Sequence, residues 1–440
     1  MKYMDHRQPV NIFWFRRDLR LHDNAGLYQA LKGPNPVLCL FIFDREILDK
    51  LEAKDDARVT FIHQTIGDLN HKLKKHGSAL LVKHDEVERA WNEILKEYSI
   101  ETVYTNHDYE PYAKKRDETV GLLLTKLGVS FKTWKDQVIF EKSEVVKDDG
   151  LPYTVFTPYM RKWHQKLTPF YLKPYPTEKY LSNLYKHEDY AIPSLKSIGF
   201  EKSAVDFPDQ QYETVIGDYA EKRDFPAING TSRIGLHLRF GTVSIRELAG
   251  KANSYTEKTW LNELIWREFY MMILDHFPKT TDHAFKPGYD RIKWINDEKQ
   301  FKAWCEGQTG YPLVDAGMRE LNATGYMHNR VRMVAASFLT KHLLIDWRWG
   351  ERYFAGKLLD YEMASNVGGW QWVAGSGTDA APYFRIFNPD AQTKKFDPQL
   401  VYIKKWVPEY ADFGKYPKPI VDHAFARERC LRVFKEALTK

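Results

Sequence analysis

NIFWFRRDLRLHDN, residues 11–24, decides the fold. Its first five residues form a short, bulky apolar run of the kind buried on both faces of a parallel sheet. Similar runs recur at 37–43, 79–82 and 101–104. Between them the apolar spacing turns helical. Val59, Ile62, Ile66, Leu69 and Leu73 step by three or four residues and predict a helix over about 58–75, with Gly77 placed as a C-terminal stop. Val87, Trp91, Ile94 and Leu95 share one face of a second helix, over about 87–98. Strands alternating with helices predict a doubly wound α/β domain with a parallel sheet. The first strand is followed by RRDLRLHDN and not by G-x-G-x-x-G, so a dehydrogenase-type dinucleotide site is unsupported.

At 440 residues the chain is too long for one ordinary core, and two or more domains are expected. Hydrophobic content of 43% with 28% charged residues is globular. No apolar run approaches the roughly 20 residues of a spanning helix, so no membrane partner is expected. The N-terminus MKYMDHRQPVNIFWF is charged and its apolar run is too short for a secretory leader, which predicts a cytoplasmic protein. Cys39, Cys305 and Cys430 are odd in number and far apart, arguing against a disulfide framework and offering no zinc spacing; no metal is expected. A net charge of +6 permits a polyanionic partner without requiring one. The 13 Trp, 26 Tyr and 25 Phe fit a large core, a planar cofactor or stacked bases.

Three regions follow. Residues 1–135 are the α/β domain. Residues 136–210, rich in Pro, Lys and Tyr and without clear periodicity, read as a connector with a few short helices. Residues 211–440 read as an all-α domain, in which 312–345 is a long helical stretch broken near 323–325. Within that domain GTSRIGLHLRFGTVS (230–244) sets Gly230, Thr231, Ser232 and Arg233 before a helix; a phosphate site and an ordinary Ser/Thr cap both fit. The helix from Thr259 puts Glu263 and Trp266 on one face, suited to a flat, hydrogen-bonding heterocycle, while Glu263 and Arg267, four apart, would also make a surface pair. Asn329, Arg330, Arg332 and Met333 crowd two turns that are awkward for an apolar core, though a solvated face remains open. The richest stretch is LLDYEMASNVGGWQWVAGSGTDAAPYFRIFNP (358–389), read as a loop-like, ligand-approaching segment.

These segments resemble the photolyase/cryptochrome family, and within it the bacterial class I cyclobutane-dimer photolyases. The family opening W-F-R-x-D-L-R-x-x-D-N stands at 14–24. GTSR, WLNELIWREFY, TGYPLVDAGMREL, TGYMHNRVRM, IDWRWGERYF, SNVGGWQW and APYFRIFNP follow in order. The resemblance covers nearly the whole chain and is densest over about 219–407.

What it implies is an N-terminal parallel-sheet domain, a helical domain binding FAD, and blue-light repair of cyclobutane pyrimidine dimers in DNA by an electron from excited reduced FAD to a flipped-out dimer. Tyr219, Thr231, Ser232 and Arg233 would hold the phosphate side of the flavin. Asp360 and Glu362 would face the sugar or adenine, Asn366 would sit beside N5, and Arg332 over the isoalloxazine; Ile234, Gly235, Trp260 and Arg267 complete the cofactor set. Trp266 and Trp372 would wedge the dimer, Glu263 and Asn329 bond its base edges, and Met333 lie beneath. Arg223, Arg330 and Arg385 would contact phosphates. Trp370, Trp347 and Trp294 match the family's electron-transfer chain. A second antenna chromophore (folate, deazaflavin or flavin) is implied as optional, with Asp44 and 106–112, especially Glu110, in the region of folate contacts. A monomer is the family default. Two residues depart from the common bacterial pattern. His342 replaces an acid that often pairs with the arginine over the flavin, which unsettles an Arg–carboxylate pairing for Arg332, and Gly235 replaces a serine. A (6-4) photolyase would need histidines at 329 and 333. A signalling cryptochrome would often carry a C-terminal extension and an acid at 366.

Overall fold

The computed structural model describes residues 8–412 and 414–439; residues 1–7, which hold most of the charged N-terminal stretch, lie outside them. Five short segments pair side by side: β1 Val10–Phe15, β2 Val37–Asp44, β3 Leu80–Asp85, β4 Ile100–Asn106 and β5 Ser130–Trp134. They make one all-parallel sheet in the order β3-β2-β1-β4-β5, reversing direction at β1 as a doubly wound fold must. β1 and β2 are buried along their whole length, which is what unbroken apolar runs require. β5 was not legible: SFKTW is a half-exposed edge strand without a bulky run, placed by its pairing of Thr102 with Ser130 through Asn106 with Trp134.

The helices Ala57–Lys74 and Val87–Glu97 end within a residue of the expected bounds. Asp56 starts the first by accepting from the Arg58 N–H, and Gly77 (φ +67°) follows its end in the left-handed region that favours glycine. The polar stretch after β1 folds into a buried charged corner of the same unit. Arg246 donates to Asp23 (2.8 Å) and Asp136 (2.7 Å), and Arg20 to Asp136 (2.7 Å). Burial opposes ionisation of Asp136, yet Arg20 and Arg246 outweigh it and hold its carboxyl below the usual range.

The chain divides into two compact units. Met1–Glu141, Leu167–Phe207 and Gly235–Lys251 form the sheet unit; Lys142–Lys166, Pro208–Ile234 and Ala252–Lys440 form the other. Segment 136–210 is thus shared between the two, and its main helix, Phe156–Lys166, belongs to the second. The second unit is helical, with no strand among its described residues. Its core gathers Trp304, Leu321, Val331, Phe338, Leu339, Trp347 and Trp370. The expected break falls where Gly325 (φ +66°) ends Pro312–Thr324 and His328 caps Asn329–Ser337 by accepting from the Arg330 N–H.

The loop-like reading of the Trp/Gly-rich stretch is corrected. Residues Met363–Ala374 are a helix with Gly368 and Gly369 inside it, ended by Gly375. Propensity is overridden by packing: a Cβ at Gly368 would collide with the Tyr270 ring, so glycine there lets this helix lie tightly against Thr259–His276.

Candidate active site

The helical unit encloses a cavity of about 430 Å³, within the usual range for small-molecule sites of roughly 300–1,000 Å³. Three elements converge on it. Thr259–His276 supplies Glu263, Trp266 and Arg267; Asn329–Ser337 supplies Asn329, Arg332 and Met333; Met363–Ala374 and the residues before it supply Asp360, Glu362, Asn366, Trp370 and Trp372. Arg223 also lines it. All five residues expected to handle the substrate therefore meet at one cavity.

The charged groups are paired in a pattern the spacing did not give. Arg267 does not bond Glu263; it grips Glu362 through two contacts of 3.0 Å each. Glu263 bonds Arg223 instead, so the i,i+4 surface pair is corrected. Burial holds the Glu263 carboxyl above the usual carboxylate range, against a smaller downward pull from the Arg223 guanidinium. Arg332 donates to both oxygens of Asp360 (3.1 and 2.9 Å) and to the Met327 carbonyl (2.7 Å). The doubt raised by His342 is thereby corrected: Arg332 has a carboxylate partner, while His342 is fully buried against His423 (2.8 Å). The Asn366 amide N–H groups donate to the Glu351 carbonyl (3.1 Å) and carboxylate (2.9 Å), leaving the amide oxygen to accept.

The indoles are fixed by stacking. Trp266 lies on Phe156 with centroids 3.7 Å apart and planes 7° apart, and meets Tyr270 at 5.5 Å. Phe156 left no signal in the sequence, because it sits in the aperiodic segment more than a hundred residues away. Trp370 is 2% exposed and packs edge-on to Phe354 (5.0 Å) and Trp304 (6.1 Å). Trp347 belongs to the same core cluster, and Trp294 packs at its border, edge-on to Phe434 at 5.9 Å.

A second group of expected residues lies outside the cavity lining. The Thr231 hydroxyl is 3.1 Å from that of Tyr326, and exposed Arg233 (φ +50°) lays its guanidinium 4.4 Å over the Tyr326 ring. Trp260 donates to the Ser232 hydroxyl at 3.4 Å and stacks on Tyr212. Tyr219 lies beside Arg223, whose guanidinium is 5.7 Å over its ring; Ile234 is buried. Tyr326, which the sequence did not flag, joins the two groups, since Arg332 also sits 5.8 Å from its ring. Gly235 starts the helix Gly235–Phe240, which is part of the sheet unit. Arg330 donates to Asp224 (2.7 Å) and lies 4.3 Å over Phe396; Arg385 is exposed beside Phe387. In the sheet unit Asp44 caps Arg45–Leu48 and accepts from the Tyr112 hydroxyl, while Glu110 is bonded by Arg17 (3.1 Å) and Arg239. No group of metal-ligating side chains occurs among the described residues. No described helix is long and apolar enough to cross a membrane.

The donor set fits a flavin. Two anchored guanidiniums, an amide oxygen and apolar walls surround a cavity of the right class, and a Cβ at the lining residue Gly369 meets no atom within 4 Å, so a side chain there would project into open space.

Comparison with known proteins agrees with this geometry. Residues 11–179 match the DNA photolyase model, and residues 260–415 match the FAD binding domain of DNA photolyase. A deoxyribodipyrimidine photo-lyase of Alkalihalophilus pseudofirmus is 36% identical, the match covering 98% of this chain and 99% of that one. A bacterial class III photolyase structure from Agrobacterium tumefaciens superposes with TM-score 0.84 at 32% identity, covering 100% of both chains. An archaeal photolyase from Sulfolobus tokodaii, solved with two FAD molecules, gives 0.82 at 34% identity, covering 97% of this chain and 100% of that one. The chain belongs to the DNA photolyase family, and its cofactor is FAD.

Proposed function

We propose that this protein binds DNA as a monomer and repairs cyclobutane pyrimidine dimers under blue light. The observation that carries the reading is the convergence at one cavity of a carboxyl (Glu263), an amide (Asn329), a thioether (Met333) and two indoles (Trp266, Trp372) beside anchored Arg267, Arg332 and the Asn366 oxygen. The relatives' name, deoxyribodipyrimidine photo-lyase, supports it.

When bound, reduced FAD supplies blue-light absorption and one transferable electron, which opens the cyclobutane ring and then returns. Binding and orientation fall to the chain. Arg332, Arg267 and Asn366 would hold the flavin at the cavity, with Tyr219, Thr231, Ser232, Arg233, Ile234 and Trp260 on its phosphate side. Trp266, held flat by Phe156, and Trp372 would stack the extruded dimer, whose weakened pairing lowers the cost of leaving the duplex. Glu263 and Asn329 would bond its base edges, and Met333 would fill the space beneath. Methionine at 333 has no proton to give, which suits a lesion that needs only an electron. Arg223, Arg330 and Arg385 would meet phosphates, so affinity would fall with salt.

The test is binding in the dark. The intact protein is expected to prefer a duplex carrying one thymine dimer over the same undamaged duplex, and Trp266→Ala to lose about 1–3 kcal/mol of that binding through lost stacking. Equal affinity for the two duplexes would refute the reading.

A further inference from the structure

Two guanidiniums near the cavity start out neutralised. Arg223 follows the one-turn helix Tyr219–Lys222 and bonds Glu263, and both side chains are about one-third exposed. The next residue, Asp224, accepts from Arg330 at 2.7 Å. One short stretch of chain thus pins two helices, Thr259–His276 through Glu263 and Asn329–Ser337 through Arg330.

The two pairs differ in one respect. Arg223 and Glu263 both line the cavity, whereas Asp224 and Arg330 are outside its lining. An arginine held by a carboxylate releases few counterions to DNA, and a carboxylate left beside a phosphate repels it. Something must therefore take Glu263 before Arg223 can engage a phosphate at full strength. A base edge inside the cavity offers N–H donors to Glu263. Undamaged DNA keeps its bases stacked and presents no donor inside the cavity.

We infer that the Arg223–Glu263 pair is an exchange latch: a lesion base occupying the cavity takes Glu263 by hydrogen bonding and so frees Arg223 for the DNA backbone. Occupancy of the cavity and phosphate contact are coupled, and Glu263 acts as a specificity-determining residue against undamaged DNA as well as a contact to damaged bases. The Asp224–Arg330 pair lacks this coupling, because neither residue lines the cavity, and lowers affinity for both kinds of DNA alike. The inference rests on the photolyase reading above.

Glu263→Gln distinguishes the latch from a plain lesion contact. Binding of the 440-residue chain is measured in the dark, across a salt series, to a thymine-dimer duplex and to its undamaged counterpart. With the latch, Glu263→Gln binds undamaged duplex about two- to fivefold more tightly, the range expected for releasing a partly exposed ion pair. Its salt slope on that duplex steepens by about 0.9, one more phosphate. Arg223→Gln/Glu263→Gln returns both values to wild type, and Asp224→Asn tightens both duplexes by the same factor. Weakened dimer binding with unchanged undamaged binding and salt slope in Glu263→Gln overturns the latch and leaves the repair reading standing. Absence of dimer preference in the wild type overturns the reading itself. Circular dichroism and flavin content confirm that each variant is folded.

Discussion

Trp370 shows how a proposed chemical role can rest on a residue that the packing already fixes. It is almost fully buried between Phe354 and Trp304, and a Cβ at Gly350 would collide with its ring, so its position is set from several sides. It also lines the cavity that fits the flavin. Trp370→Phe keeps most of the packing volume while removing the indole. Light-driven reduction of the oxidised cofactor should slow strongly, with repair by pre-reduced protein retained; loss of repair in the pre-reduced variant would move Trp370 from electron supply to the repair chemistry or the fold. Residue types at the site were legible in the sequence, because Glu263, Trp266, Asn329, Arg332, Met333 and Asn366 sit in recognisable wording. Their partners were not. Phe156 under Trp266, Asp224 on Arg330, Arg223 on Glu263 and Glu351 on Asn366 are joined across 15 to 110 residues, and contacts formed by tertiary packing leave no local periodicity to read.

Among the elements, the segment Phe338–His342 is a π-helical turn continuing Asn329–Ser337 and packed by His423–Leu438. His342 is buried there between the Phe338 ring (4.8 Å) and His423, with Tyr311 alongside and Arg429 donating to its carbonyl. Burial first, then His423 and Arg429, push its imidazole down from 6.5 to about 3. The unfolded chain then binds a proton that the folded one refuses, so His342 carries no proton-linked penalty above about pH 6.5 and opposes folding progressively as pH falls from there towards 3. Denaturant unfolding followed over that window should show a shallower acid loss in His342→Gln than in wild type; parallel curves would show that His342 is not the titrating group. The elements that sequence reading placed well, β1 to β4 and the helices Ala57–Lys74 and Val87–Glu97, are those whose apolar spacing is complete within the segment. β5 and Met363–Ala374 escaped for opposite reasons. One is an edge with no bulky run, and the other carries glycines that look like a loop until Tyr270 is packed against them.

Across the whole chain, the two units arrange their charged side chains differently. The sheet unit holds its buried charges in closed networks: Asp108, for example, is held well below the usual carboxylate range because Arg17, Arg116, Arg239 and Arg16 outweigh its burial. The helical unit keeps an open cavity bordered by guanidiniums, indoles and carboxyls. The change from alternating to continuous helical spacing was visible in the sequence, and the family resemblance turned it into an expected activity; the bounds were not visible, since Leu167–Phe207 and Gly235–Lys251 belong to the sheet unit. The most direct measurement is light-dependent repair. Chemically reduced protein is mixed with an oligonucleotide carrying a thymine cyclobutane dimer, and the return of the base absorbance is followed in darkness and under blue light. Recovery under blue light and none in darkness is the expected result. No recovery, with flavin bound and reduced, would contradict dimer repair as the function of this chain.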